Sequence, residues 1–344
     1  AGAVAVDTVA LQFAISKGKP FALFDVVRIG SESVLNGVCV SYDQLRGRDA
    51  WNDEAKWKPR RLTAGPPELV KVCYAGPLRT TIEVGGKFTD DALGVGYKAW
   101  ITAWRGKSRV WVKFKLCNSN PDQYTAILVG RSTIELQLLS PTETVLLGAV
   151  EPISARGQGW IHQGLYLHHT YQDIPASAKA GSGDEVLWVG NGPADRPAGW
   201  IAAEGDRRVF VCDTLFSTNP ARRLAVADGN LVLEGIAERF EGPRDVKFKR
   251  DRRIGEPWQS KGFWLYDCSH HSSEYLFDFD APSESGALDR LARAARNRLW
   301  VLAPGEHYSR CEVLGTGQFG TLSEELDCYR TWGWNWDDEQ LPAR

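Results

Sequence analysis

Residues 160–171 of this 344-residue chain read Trp-Ile-His-Gln-Gly-Leu-Tyr-Leu-His-His-Thr-Tyr. Alternate side chains of an extended strand point the same way. His162, Gly164, Tyr166 and His168 therefore share one face, and Ile161, Leu165 and Leu167 the other. Two imidazoles flanking a phenol can give and take protons near neutral pH. Tyr166 is the expected catalytic base and acid, with His162 and His168 assisting. The same spacing also describes a plain sheet surface of hydrogen-bonded polar aromatics.

A second cluster is Cys268-Ser-His270-His271. With His168 and His169 it offers four imidazoles that can in principle meet at a metal. Adjacent histidines on a strand point to opposite faces, so each pair supplies one ligand. Neither a metal nor another cofactor is expected.

The third feature is a hairpin. Lys98–Trp104 alternates, Arg-Gly-Lys-Ser turns the chain, and Arg109–Cys117 alternates again. Val110, Val112, Phe114 and Leu116 take the core face, and Trp111, Lys113 and Lys115 the other. Trp100 and Trp104 share a face with Lys98 and Thr102. Flat aromatics stack on sugar rings, and lysines neutralise uronate carboxylates. Lys113, Lys115, Trp100, Trp104 and Trp111 are the expected substrate-binding residues. A contact between domains has the same composition.

The elements that must position these residues are strands. Further alternating or apolar runs occupy Thr133–Leu139, Thr144–Ala149, Glu185–Val189, Trp200–Ala203 and Arg208–Asp213. Leu224–Ala227 and Leu231–Glu234 flank Asp228-Gly229, a hairpin turn signal. Phe263–Asp267 and Glu274–Phe279 close the series. Residues 152–159, rich in Pro, Gly and small residues, are expected to be a loop near a domain boundary. The expected fold is mainly β. Two consecutive antiparallel β-sandwich domains, 1–150 and 151–284, are followed by a helix and an aromatic-rich tail over 285–344. Leu288, Leu291, Ala295 and Leu299 have helical spacing, Ser285 can cap the start, and Asp289 favours the dipole of the first turn.

Composition sets outer limits. The chain is 43% hydrophobic and 24% charged, as globular proteins are. A net charge of −2 gives no reason to expect nucleic acid or an anionic membrane as partner. No apolar run approaches the ~20 residues that insertion into a bilayer needs. The small-residue start Ala1-Gly2-Ala3 suits a mature secreted chain and an engineered N-terminus equally well. Seven cysteines make no CxxC, and Cys311 with Cys328 is the candidate pair. There is no GxSxG, Walker A or HExxH. Methionine is absent, and we have no physical account of that.

Asn219-Pro-Ala-Arg-Arg-Leu224-Ala-Val-Ala-Asp-Gly-Asn-Leu231-Val-Leu resembles the exo-rhamnogalacturonan lyase family. Gly76-Pro-Leu-Arg-Thr80 ahead of the Trp-rich hairpin is similar to that family's first domain. Ser272–Phe279 is similar to the strand ending its second, and Gly315–Gly320 to the start of its third. A Thr-His-Glu triplet of the family is replaced by Ser272-Ser273-Glu274. The family's (α/α) toroid would begin where this chain stops. The resemblance implies β-elimination at a uronate in a pectic polysaccharide or oligosaccharide, outside the cell. Self-assembly or a partner domain would stand in for the toroid. A non-catalytic carbohydrate-binding or structural protein of an extracellular assembly is the alternative.

Overall fold

Alternation of β-branched and aromatic residues with polar ones recurs through most of the chain, and it produces strands. The computed structural model describes residues 2–45, 59–120, 127–164, 178–190, 195–217, 221–237, 263–265, 269–284 and 286–297. Four short strands come first: β1 (Ala3–Asp7), β2 (Gln12–Ser16), β3 (Val26–Ile29) and β4 (Glu32–Ser33). Five longer ones follow: β5 (Leu35–Leu45), β6 (Pro59–Ala75), β7 (Arg79–Phe88), β8 (Val95–Trp104) and β9 (Arg109–Asn118). Next come β10 (Ile127–Leu138), β11 (Thr144–Gly148), β12 (Pro152–Arg156), β13 (Gly159–Gln163), β14 (Ala178–Ser182) and β15 (Glu185–Gly190). The last are β16 (Trp200–Glu204), β17 (Arg208–Asp213), β18 (Arg222–Ala227), β19 (Asn230–Ile236), β20 (Phe263–Leu265), β21 (His270–Asp278) and the helix α1 (Ala287–Arg296).

Antiparallel pairing sorts these strands into two ladders. The first runs β15-β14-β13-β18-β19-β10-β5-β6, with β20 against the start of β10. The second runs β12-β11-β16-β17-β21-β9-β8-β7-β6. Strand β6 belongs to both. Its residues 59–63 pair with β5, and 64–75 pair with β7. Register shifts lie on both sides of Pro67. Proline has no N–H for a ladder and is tolerated at such irregularities. The freed carbonyl of Gly65 accepts from the Tyr97 hydroxyl (2.8 Å) and the Phe21 amide (3.1 Å). Through β6 the ladders form one 17-stranded sheet.

The ladders enclose a common interior. Val40, Ile134, Ile161, Leu224 and Leu233 of the first meet Val84, Ile101, Val112, Val211 and Phe277 of the second in one apolar cluster. Each is 2% exposed or less, and burying a side chain of this kind stabilises by about 1.5–3 kcal/mol. This corrects the expected pair of consecutive sandwiches. Both ladders draw strands from the first and the second half of the chain, and residues 1–296 form one compact unit. Period-two alternation identifies the buried face of a strand, but not the sheet that will cover it.

The β1–β4 sheet adds aromatic plugs to this interior. Phe24 packs edge-on against Phe277 (5.8 Å) and Phe279 (5.7 Å), and Phe21 stacks on Tyr97 (4.8 Å). Helix α1 buries Leu288, Leu291, Ala292 and Ala295 against Phe210, Cys212 and Leu276 on the outward face of the second ladder. Asp289 accepts a hydrogen bond from Trp200 Nε1 at 2.9 Å, which ties the helix to β16. The expected cap Ser285, together with Leu299 and the tail bearing Cys311 and Cys328, lies outside the described residues.

Phe24→Ala is expected to lower stability by about 3–5 kcal/mol, the usual result of emptying a buried aromatic site. Urea unfolding measures it. A loss below about 1 kcal/mol would mean that the N-terminal sheet is not integral to the core.

Candidate functional site

The outward face of the second ladder carries the polar half of the alternation. Across β7, β8, β9 and β21 one row reads Glu83, Trp100, Lys113, Glu274. The next reads Gly85, Lys98, Lys115, Ser272, and on the same side Cys117 faces His270. Their inward neighbours Ala99, Ile101, Val112, Phe114 and Leu116 are buried, so the strand pleat forces these side chains outward.

Charge is unevenly spread on this face. Lys113 Nζ lies 3.3 Å from Glu274 Oε1. Lys98 and Lys115 stand directly opposite each other, an arrangement that opposes sheet pairing by up to about 1 kcal/mol. Lys115 Nζ sits over the half-buried Trp100 ring, 5.5 Å from its centroid, within cation–π range. Burial, and then the charges of Lys115 and Lys113, hold the exposed His270 imidazole below its ordinary pKa. Near neutral pH it is an uncharged proton acceptor beside two ammonium groups. Burial pushes the Cys117 thiol up, while Lys98 and Lys115 pull it down.

Of the expected binding residues, Trp100, Lys113 and Lys115 are immediate neighbours. Trp104 is on the same face but at the turn end of β8, opposite Arg79. Trp111 pairs with Leu276 and packs into the apolar cluster under α1, so its ring is used in folding. His162 is elsewhere. It lies on β13 between Lys179 and Arg223, on the outward face of the first ladder, because its neighbour Ile161 is in the shared interior. It thus stands on the other ladder from Trp100, Lys113 and Lys115. Tyr166 and His168 lie outside the described residues.

Sequence reasoning missed a polar cluster between the ladders, where β17 ends and β18 and β21 begin. Arg222 Nη1 donates to Asp213 Oδ2 (3.0 Å) and Ser273 Oγ (3.2 Å), and Nη2 donates to the Ser272 carbonyl (3.0 Å). Arg222 and Asp213 are 1% and 0% exposed. The Asp213 carboxyl is pushed up by burial, and Arg222 opposes that shift. His271 Nε2 lies 3.0 Å from the Gly235 carbonyl, so the neutral ring donates there. Burial, then Arg222, drive its pKa down to about 3. Gly235 is required: a Cβ there would collide with Ser273 Oγ. The signal was available. Asp213 is in phase with Val209 and Val211, and Arg222 with Leu224 and Val226. A carboxylate and a guanidinium at core positions must find each other.

No family model and no curated protein matches the chain. The chain aligns with several solved structures. Slr1438 protein from Synechocystis sp. PCC 6803 aligns at TM-score 0.45 and 11% identity, over 82% of this chain and 96% of that one. A galactose mutarotase-like protein from Lactobacillus casei gives 0.44 and 10%, over 80% and 99%. A galactose mutarotase related enzyme from Lactobacillus acidophilus gives 0.39 and 10%, over 81% and 97%. None of these three is described as a rhamnogalacturonan lyase. At these scores no residue carries over.

Two outcomes test the buried cluster. Arg222→Met strands the Asp213 charge and is expected to cost about 3–5 kcal/mol, while adding Asp213→Leu restores much of the loss; urea midpoints of both variants measure this. His271 is more acidic in the fold than at its ordinary 6.5. Its stabilising contribution is therefore whole above pH 6.5 and falls away as pH drops toward about 3. His271→Gln keeps a donor for Gly235 and should flatten the acid limb by up to about 1.4 kcal/mol per pH unit. Identical limbs would place the acid sensitivity elsewhere.

Proposed function

We propose that the chain is a carbohydrate-binding protein that takes an anionic, uronate-containing glycan along the outward face of the second ladder. The observation that carries this reading is the in-register pair Lys98 and Lys115 beside Trp100. An indole on a flat strand face offers a stacking surface for a sugar ring. Two ammonium groups held at neighbouring positions repel each other until an anion lies between them, so a carboxylate relieves a conflict built into the sheet. Lys113, already 3.3 Å from Glu274, is better placed to orient than to neutralise. Such a ligand fits an extracellular setting.

A finer reading, β-elimination at the uronate, is favoured by His270. Its imidazole is uncharged near neutral pH and shares the face with the lysines. In that step the imidazole takes the C5 proton and the C5–H electron pair becomes the C4–C5 double bond. The C4–O pair leaves on oxygen, which takes up a proton from the imidazolium or water. The lysines would hold the carboxylate whose charge otherwise resists proton loss.

Titration calorimetry of the full chain with oligogalacturonates, against neutral oligosaccharides, tests binding. Trp100→Ala and Lys115→Ala should each weaken the acidic ligand about tenfold, on the order of 1.4 kcal/mol. Equal affinity for neutral and acidic glycans would remove the lysines from the reading, and no glycan binding at all would end it. Absorbance of unsaturated uronates tests elimination. His270→Ala should abolish that signal and leave binding intact.

A further inference from the structure

At the turn end of the second ladder, the end opposite Arg222, three turns meet. Residues 8–11 link β1 to β2, residues 76–78 link β6 to β7, and residues 105–108 link β8 to β9. Gly106 N donates to the Thr8 carbonyl (2.5 Å), and Arg105 N donates to the Leu78 carbonyl (3.0 Å). Thr8 Oγ1 donates to the Lys107 carbonyl at 2.8 Å. The turns are thereby lashed into one rigid surface.

That surface holds out the two most exposed large apolar side chains among the described residues, Val9 at 79% and Leu78 at 73%. Val9 also has φ 78°, a left-handed conformation that β-branched residues avoid. The Asp7 carboxylate helps to fix it there by accepting from Val9 N at 2.7 Å. Neither burial nor backbone preference accounts for valine at this position, and an external contact for the side chain does.

Cations and ring side chains surround the two tips. Arg79, Arg105 and Lys107 are exposed on the same turns. Arg79 lies 4.8 Å over the ring of Tyr74, which is 47% exposed, and Trp104 pairs with Arg79 across the strands. The neighbouring carboxylates are already engaged, Asp7 by Val9 N and Gln12 Nε2 (3.0 Å), and Asp278 by Ser108 Oγ (2.6 Å) and Arg109 Nε (2.7 Å). Exposed apolar side chains flanked by amphipathic rings and cations are the composition found where a protein rests in a lipid interface.

We propose that this end docks on an anionic lipid surface. Val9 and Leu78 enter the acyl boundary, and Arg79, Arg105 and Lys107 meet the headgroups. The chain's net charge of −2 does not oppose this, because fields beyond about 8–10 Å are screened at physiological salt. The docking stands independently of the glycan reading: Trp100 lies about 13 Å along β8 from Trp104.

Co-sedimentation of the full chain with vesicles tests it. One set is phosphatidylcholine alone; the other contains roughly a third phosphatidylserine, to supply the negative surface potential. Binding is expected to the anionic vesicles, weakening several-fold as salt is raised, with little to the neutral ones. The double variant Val9→Asp, Leu78→Asp should lose at least tenfold. Aspartate tolerates the left-handed region, and circular dichroism confirms that the variant is folded. Arg105→Glu with Lys107→Glu should lose binding comparably. Absence of binding to either vesicle overturns the proposal, as does wild-type binding by the folded apolar double variant. Loss of self-association in these variants with vesicle binding unchanged would overturn it too, by assigning the surface to a second copy.

Discussion

Two ladders can share one interior only if every strand commits one face to it, and nearly everything else about the molecule follows from that commitment. With Ile101, Val112 and Phe277 sealed inside, Trp100, Lys113 and Glu274 have no choice but to stand outside in a row. Strand β6 makes the arrangement possible by leaving one ladder and joining the other within a single extended segment. Gly65-Pro66-Pro67 sits at the crossing, where ladder hydrogen bonds must in any case lapse. At the end of the interior, Arg222 spans from β18 to grip Asp213 and the backbone of β21. Such a pair adds little net stability over apolar packing, but its removal by halves is severe. Its effect is to set where β18 stands relative to β17 and β21.

The parts of the fold that were legible in the sequence are those governed by near neighbours. The β8–β9 hairpin was readable from alternation. So was the β18–β19 hairpin, whose Asp228 and Gly229 adopt φ 51° and 75° as a tight turn requires. The helix was readable through Arg296 from its apolar spacing. The partnership of ladders was not, because a strand's pattern is the same whichever sheet covers it. Strand β6 was hidden for a different reason: Pro66 and Pro67 in its middle argue locally against a strand, and only the crossing between ladders excuses them. The candidate site divides the same way. That Trp100, Lys113 and Lys115 share a face follows from period two. That Trp111, on the same face, is taken up by packing depends on a helix some 180 residues later in the chain. That His162 stands apart depends on which ladder β13 joins.

His270 and His271 show how far geometry outweighs residue type. They are adjacent, chemically identical, and assigned opposite environments by the pleat of β21. His271 turns inward, donates to the Gly235 carbonyl, and is too costly to protonate there to take part in proton transfer near neutral pH. His270 turns outward toward solvent, and its basicity is lowered by burial and then by Lys115 and Lys113 on the same face. A perturbed imidazole is often a sign of function, and the larger perturbation here belongs to His271. Its cause is burial in a satisfied polar cluster, which removes the group from solvent and ligand alike. The smaller perturbation comes partly from neighbouring cations on an open face, and an arriving carboxylate would offset those charges and raise the basicity of His270 as it bound. Coupling between ligand charge and base strength is a property of the outer face alone, and it is the reason to look for chemistry there and not in the interior.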